Sequence, residues 1–398
     1  MQLVLFDTAV RLQLFPFTHT RAIADIRCGI FTMCERWEQL LALSSDTLTT
    51  AYLQPVYAAR RNAESYLYVN GAVFGTETLA TAVKALPVNS ILLSGDLLIA
   101  FHSDSFIEDA HFFNNIPEKA HQIIFEEPAK SLRHIWDIFS YNEAAIAADF
   151  SRITQNRKSA PLPAHVTAIA PEHIFVESGA QLAPCIINAQ SGPVYIGKDA
   201  EIMEGVLIRG ALALCEHATL KMGAKIYGGT TIGPGSKVGG EVGNSVFFGN
   251  SNKGHDGYIG NAVIGEWCNL GADTNSSNLK NNYAEISIWN EYEGKPVKTG
   301  LQFCGLMMGD HSKCGINTMF NTATVVGVSC NIYGGGFQQK FIPSFSWGDA
   351  QELTTYQLDK AVDTANRMMS RRGKSLSDAE KSMMQYVFDH TKSQRTPA

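Results

Sequence analysis

From Ile196 an aliphatic residue returns at every sixth position: Ile196, Ile202, Ile208, Leu214, Leu220, Ile226, Ile232 and Val238. Hydrophobic residues make up 45% of the 398, so eight consecutive hits arise by chance roughly 2 times in 1000. A period of six fits neither a helix nor an alternating strand. It fits a parallel β-helix, in which each hexapeptide forms one short strand and one turn. The aliphatics then point inward. The positions four residues later, Ala200, Val206, Leu212, Ala218, Ala224, Thr230, Ser236 and Val242, are mostly small and fill the corners. Gly, Asp and Asn fall at the turns, where positive φ costs them least.

The register resumes at Ile264 and Leu270, with Cys268 and Thr274 at the small positions. It resumes again at Met308, Cys314, Phe320, Val326 and Ile332, beside Ser312, Thr318, Thr324 and Cys330. Cys268, Cys314 and Cys330 are therefore expected inside the coil as small hydrophobes. Between Asp273 and Gly305 the period fails. That stretch is expected to form a loop with a short hairpin projecting from the coil, a usual place for function.

Residues 1–155 have another texture. MQLVLFD, SYLYVN and NSILLSGD read as short buried strands, and FTMCERWEQLLALS as a helix among them. A small α/β domain with a partly parallel sheet is expected. Residues 156–172 read as a linker or cap, 173–348 as the β-helix, and 349–398 as a helical tail. In that tail Asp349 to Arg371 and Ser377 to His390 read as two helices, broken at Arg371-Arg372-Gly373.

Net charge is −6, which argues against a nucleic-acid or anionic-membrane surface. There is no apolar run of transmembrane length, and the opening MQLVLFDTAVRLQLF reads as a strand rather than a signal peptide. The eight cysteines form no C-x-x-C pair, so neither a disulfide framework nor a zinc ribbon is expected. A reduced, cytoplasmic protein is the expectation.

The segment KGHDGYIGNAVIGEWCNLGADTNSSNLKNNY resembles the acetyltransferase centre of GlmU-type enzymes, hexapeptide acyltransferases that couple glucosamine-1-phosphate acetylation to a uridyltransferase domain. The resemblance rests on His255, Tyr258, Ile264, Gly265, Asn269, Gly271, Ala272, Thr274 and Asn278. KVGGEVGNSV, GLMMGDHSKCGINTMFNTATVVG and FIPSFSWG extend it to GlmU-like sugar nucleotidyltransferases of the Bacteroidetes type, over essentially the whole chain. It implies a left-handed β-helix, acetyl-CoA as cosubstrate, an amino-sugar phosphate as acceptor and a homotrimer. It also implies a place in UDP-N-acetylglucosamine-type sugar nucleotide biosynthesis.

The first domain departs from that family. Nucleotidyltransferases open with G-x-G-T-R, whose glycines let backbone N–H groups cradle phosphate. Here the place reads LFDTAVRLQLFPFTHTRAIADIR. Arg11, Pro16, Thr18 and Arg21 resemble the rest of the signature, but the glycines are missing and the usual Pro-Lys falls on Ala22-Ile23. Arg11, Arg21 and Arg27 are the candidate nucleotide-binding cations. Asp7, Asp96 and Asn70 are candidates for Mg, although no metal ligand set is assigned. Weak or absent uridyltransferase activity is expected.

Acetyl transfer to an amine needs a base for the ammonium proton and a donor for the tetrahedral oxyanion. Histidine, with an ordinary pKa near ~6.5, suits the first task. The resemblance gives His255 as the base and Asn269 as the residue that orients it or the amine. It gives Ala272 as the backbone N–H donor to the thioester oxygen. Tyr258, Asn278 and Lys280 are expected to bind the sugar, with Tyr283 on the same projecting loop. The family also holds the sugar phosphate with an Arg and a Lys upstream of its His. Here Gly243 or Ser245 falls where the Lys belongs, leaving Lys225 and Lys253 as the available cations. Two alternatives remain at this stage. One is a non-catalytic sugar-nucleotide-binding scaffold. The other is a γ-class carbonic anhydrase using His217, His255 and His311 around zinc.

Overall fold

The structure, a computed structural model, describes residues 1–57, 61–115 and 120–395. Three sheets of parallel strands run the length of the second half, with six, nine and ten strands, the last closed by one antiparallel strand. Successive coils stack in register, Val194 on Leu212 and Ile196 on Leu214. Every aliphatic of the hexad series from Ile196 to Val238 is at most 3% exposed, and the small series from Ala200 to Val242 is fully buried. Cys268, Cys314 and Cys330 lie inside as expected. An inward unpaired carboxyl group, as in Ile208→Asp, would therefore cost several kcal/mol even after it takes up a proton.

Val242 departs from its expected place. It is an inward strand residue paired with Ile226, because the Gly239-Gly240 corner is two residues shorter than the Lys221–Ala224 corner beneath it. The coil also starts earlier than expected, with strand Thr167–Ile169 inside the segment read as linker.

The insertion does contain a hairpin, Ser287–Asn290 against Lys295–Lys298. Instead of projecting freely it lies on the first domain. Ile286 and Ile288 share an apolar cluster with Leu14 and Phe17, His19 meets Glu291 at 2.8 Å, and Asn290 Nδ2 donates to Gln13 at 2.6 Å. Polar loop composition concealed two alternating apolar residues that find a partner only in three dimensions.

The first domain is a six-stranded mixed sheet with Gln2–Phe6 and Tyr66–Asn70 adjacent and parallel at its centre. Helix Met33–Leu41 begins with a Thr32/Glu35 capping box and buries Trp37, Leu40 and Leu41 on the sheet. Helix Asn142–Thr154 and the Ile30-Phe31 turn cover one flat face of the coil, at Phe175, Tyr195 and Ala213. Further along that face Phe17, Ile23 and Met33 meet Phe248, Val263 and Met307. The two halves therefore share an apolar core.

In the tail, the first helix is Leu358–Ser370, nine residues later than the expected start at Asp349. The residues before it include strand Leu353–Thr355, which pairs with Ser346–Gly348. The second helix, Asp378–His390, starts at Ser377 as expected, with a capping box to Glu380. These helices seat Ala365, Met369 and Leu376 on Trp267 of the coil, and Met383, Met384 and Val387 between Leu53 and Phe345. Among the described residues no helix covers the six-stranded coil face, where Ile186, Leu207 and Tyr227 are exposed. Among the described residues no helix is long and apolar enough to cross a membrane.

Candidate active site

His255 stands on the corner between strands Asn252–Lys253 and Tyr258–Gly260. Gly257 closes this corner at φ +111°, where a Cβ would collide with the Thr274 carbonyl. His255 is exposed and lines two hollows at once.

On one side is a groove of about 490 Å³ lined by Asn252, His255, Asn269, Ala272 and four cations, Lys221, Lys237, Arg371 and Arg372. No carboxylate is among its lining residues. Arg372 is anchored by Asn250 at 2.8 Å and lies over the Trp267 ring at 5.5 Å. Burial and the neighbouring Arg371 charge hold its pKa below the ordinary arginine value. On the other side the shortened Gly239-Gly240 corner leaves a depression of about 340 Å³, which adds Asp256 and Asp273 to His255 and Ala272. Like charges left unneutralised on opposite sides of one imidazole divide the site into an anion-seeking half and a cation-seeking half. The Ala272 N–H has no protein partner among the described residues, while its carbonyl accepts from Asn317 at 2.8 Å.

The expected sugar-binding residues separate. Tyr258 and Asn278 are joined at 2.9 Å on the uncovered face, where burial raises the Tyr258 pKa. Lys225 lies in the same outward row, with Glu241 between it and Tyr258. Lys280 donates to the Glu285 carbonyl of its own loop at 2.7 Å, and Tyr283 is exposed. Lys253 is corrected outright. Its side chain is fully buried, in the inward position that Val238 holds one coil earlier, and cannot meet a substrate phosphate.

The three arginines of the first domain are also consumed internally. Arg21 is buried and paired with Asp310 of the coil, with Glu266 at 3.7 Å. Arg11 donates to the Thr18 carbonyl and to Tyr52 at 3.0 Å. Arg27 holds the Ile30 carbonyl and meets Glu35 at 3.1 Å. None is free for phosphate. A cleft of about 670 Å³ does open at the carboxyl ends of the central strands, where such sheets bind ligands, lined by Thr8, Asn70, Asp96, Arg133 and His134. Asp7 stays out of it, accepting from the Ile23 N–H at 2.9 Å and the Thr49 hydroxyl at 2.6 Å, with burial raising its pKa. Asn70 is spent on Leu98 and Ala72. Of the three candidates for Mg, Asp96 and Asn70 line this cleft and Asp7 does not. The zinc histidines do not assemble: His311 is buried, while His217 is exposed beside Asp199. Among the described residues no three His, Cys, Asp or Glu side chains could hold a metal together.

Sequence reasoning missed Lys221, Lys237, Arg371, Arg372, Asp256 and Asp273. The signal for Lys237 was present: it shares one outward row with Asn252 and Asn269. The Arg-Arg-Gly turn carried none, because its approach to the coil depends on how the tail docks.

Residues 3–158 match the model of a family described as sugar nucleotidyl transferases. Over 146 residues the chain is 30% identical to the bifunctional sugar-1-phosphate nucleotidylyltransferase/acetyltransferase of Sulfurisphaera tokodaii, covering 36% of each. Over part of its length the chain is similar to GlmU-type bifunctional proteins. It is 24% identical over 255 residues to the bifunctional protein GlmU of Synechococcus elongatus, covering 58% of this chain and 52% of the relative. The chain thus spans about a third to a half of these relatives' length. Among solved structures, the UDP-N-acetylglucosamine acyltransferase of Campylobacter jejuni is 15% identical. It covers 57% of this chain and 95% of that one, with a TM-score of 0.26.

Proposed function

We propose that this chain is a CoA-dependent N-acetyltransferase acting on an amino-sugar phosphate, with glucosamine-1-phosphate the first acceptor to try. The observation that carries the reading is the position of His255 between a cation-lined groove and a carboxylate-lined depression. The phosphates of acetyl-CoA suit Lys221, Lys237, Arg371 and Arg372. The ammonium of the acceptor suits Asp256 and Asp273.

In this reading the bound ammonium first loses one proton to solvent, and the neutral amine nitrogen then attacks the thioester carbonyl to form the C–N bond while it gives a second proton to His255. The unpartnered Ala272 N–H receives the oxyanion. The C–S bond then breaks, and the leaving thiolate takes the proton from the imidazolium. Asn269, in the groove beside His255, orients the reacting groups. Tyr258, Asn278 and Lys225 bind the rest of the acceptor. The chain works in sugar nucleotide biosynthesis in the cytoplasm as a homotrimer, for which the uncovered face with Ile186, Leu207 and Tyr227 exposed is available. The first domain contributes a ligand cleft and a cover for the coil, with little or no nucleotidyl transfer, because Arg11, Arg21 and Arg27 are engaged elsewhere.

The test is acetyl-CoA consumption by the purified chain with glucosamine-1-phosphate, galactosamine-1-phosphate and UDP-amino sugars. Turnover with at least one amine and none with its N-acetylated form is expected. No turnover with any of them contradicts the reading.

A further inference from the structure

A lysine occupies the dry interior of the coil at one place only among the described hexad positions, and it is the place directly before His255 and its corner. Lys253 is fully buried, and its Nζ donates to the carbonyl of His255 at 2.6 Å and to that of Asp256 at 3.0 Å. Gly240 makes room for it, since a Cβ there would stand 2.9 Å from Nζ. No carboxylate pairs with it among the described residues, and burial draws its pKa down to about 8, partly opposed by Asp256 and Asp273. Removing a charge from water without an ion partner is costly, and an apolar side chain of similar length would suit this interior better. Stability of the coil does not account for it.

The corner itself does. Five corners of the coil close with their own turn hydrogen bond, Ala200 to Gly197, Ala218 to Cys215, Ala224 to Lys221, Ser236 to Gly233 and Thr274 to Gly271, and at three others the N–H of Ser251, Cys268 or Cys330 is taken by a serine hydroxyl. The corner at 254–257 has none, and none of its four N–H groups donates to a protein acceptor among the described residues. Its carbonyls are the part that is held. Asp256 and Gly257 accept from the Asp273 and Glu241 N–H groups, and the Lys253 ammonium takes the carbonyls of His255 and Asp256.

We infer that Lys253 is a positioning residue: from inside the coil its ammonium clamps the carbonyls of His255 and Asp256, replacing the missing turn bond and fixing where the imidazole and the Asp256 carboxylate stand. The inference rests on the reading of His255 as the base, and deepens it. Lys253 touches neither substrate, so its loss acts on turnover and leaves acetyl-CoA binding in place.

The experiment is a double-mutant cycle on the full chain: wild type, Lys253→Met, His255→Ala and the two together, with amide exchange read at Glu241 and Asp273. Lys253→Met is expected to lower kcat by ~10–100-fold, the scale of a displacement of about 1 Å, with KM for acetyl-CoA unchanged. Its melting temperature should not fall, and exchange at Glu241 and Asp273 should quicken. In the His255→Ala background it should cost clearly less than in the wild type, because the share of its effect that runs through the imidazole is already lost. A Lys253→Met protein that keeps more than half of kcat, an equal loss in the His255→Ala background, or unchanged exchange overturns the inference. If Lys253→Met fails to fold, Lys253→Gln carries the same readings. Should the wild type acetylate no amine, the functional reading falls, and the exchange at Glu241 and Asp273 alone decides for or against the clamp.

Discussion

Arg21 in the first domain and Arg371 in the tail are the same side chain in opposite circumstances. Arg21 belongs to a stretch that resembles a phosphate signature, yet it is buried against Asp310 and Glu266 and ties the domain to the coil. Arg371 belongs to no motif, yet it stands exposed in a groove with three further cations and no acid. The pair teaches that a cation's availability, rather than its place in a motif, makes an anion site. In residues 3–158, which the family model matches, Arg11, Arg21 and Arg27 are spent on structure. Beyond it, Lys221, Lys237, Arg371 and Arg372 line an open groove.

The comparison is sharpened first by His255→Ala, which should lower kcat for acetyl transfer by ~10²–10⁴-fold, the range for loss of a positioned base. Melting should not change, because His255 is exposed and anchors nothing. A variant that retains more than half of the wild-type rate removes His255 from the chemistry. Asn269→Ala should cost less, about 10-fold, since it orients rather than carries the proton.

Arg21→Met should act in the reverse sense. It strands Asp310 and should destabilise the chain by about 3–5 kcal/mol in chemical denaturation, as breaking a buried pair does. Nucleotide affinity measured by calorimetry should be unaffected in protein that remains folded. A selective loss of nucleotide binding with full stability would break the contrast with Arg371.

Replacing Arg371 and Arg372 together by Ala should raise KM for acetyl-CoA by about 10-fold or more, on the scale of one lost charge-assisted bond. The effect should shrink as salt is added, and kcat should change less than KM. An unchanged KM would mean that the groove is not the CoA site.

The smallest expected effect is a pH dependence. Burial and Lys313 lower the His311 pKa to about 4, against an ordinary 6.5. The unfolded chain then takes up a proton between those values that the folded chain refuses. This contribution to stability is present above pH 6.5 and is lost as pH falls toward 4. His311→Gln should flatten the loss of stability over that window, by comparison of melts with wild type. Parallel curves would show that His311 is protonated without penalty.

Much of this molecule was legible in the hexads. The coil follows from one aliphatic every six residues, because no other fold buries that pattern, and His255, Asn269 and Ala272 do share one groove. Three features were not legible. The shortened Gly239-Gly240 corner shifted Val242 from a turn to a strand without breaking apolar composition. Lys253 looked like a surface cation, since a charge at an inward position contradicts the pattern that defines that position. The partners of Arg11, Arg21 and Arg27 lie in part far along the chain, and only packing reveals that these cations are occupied. Local spacing fixes which face a residue takes, but not what waits opposite it.

The chemistry is placed at the His255 corner, while the first domain is tied down as structure. The most direct test gives one preparation of the full chain two assays: acetyl-CoA consumption with glucosamine-1-phosphate, and pyrophosphate release from UTP with N-acetylglucosamine-1-phosphate and Mg. Steady acetyl-CoA turnover that His255→Ala abolishes is expected, with pyrophosphate release at or near background. Robust pyrophosphate release without acetyl-CoA turnover would contradict that placement.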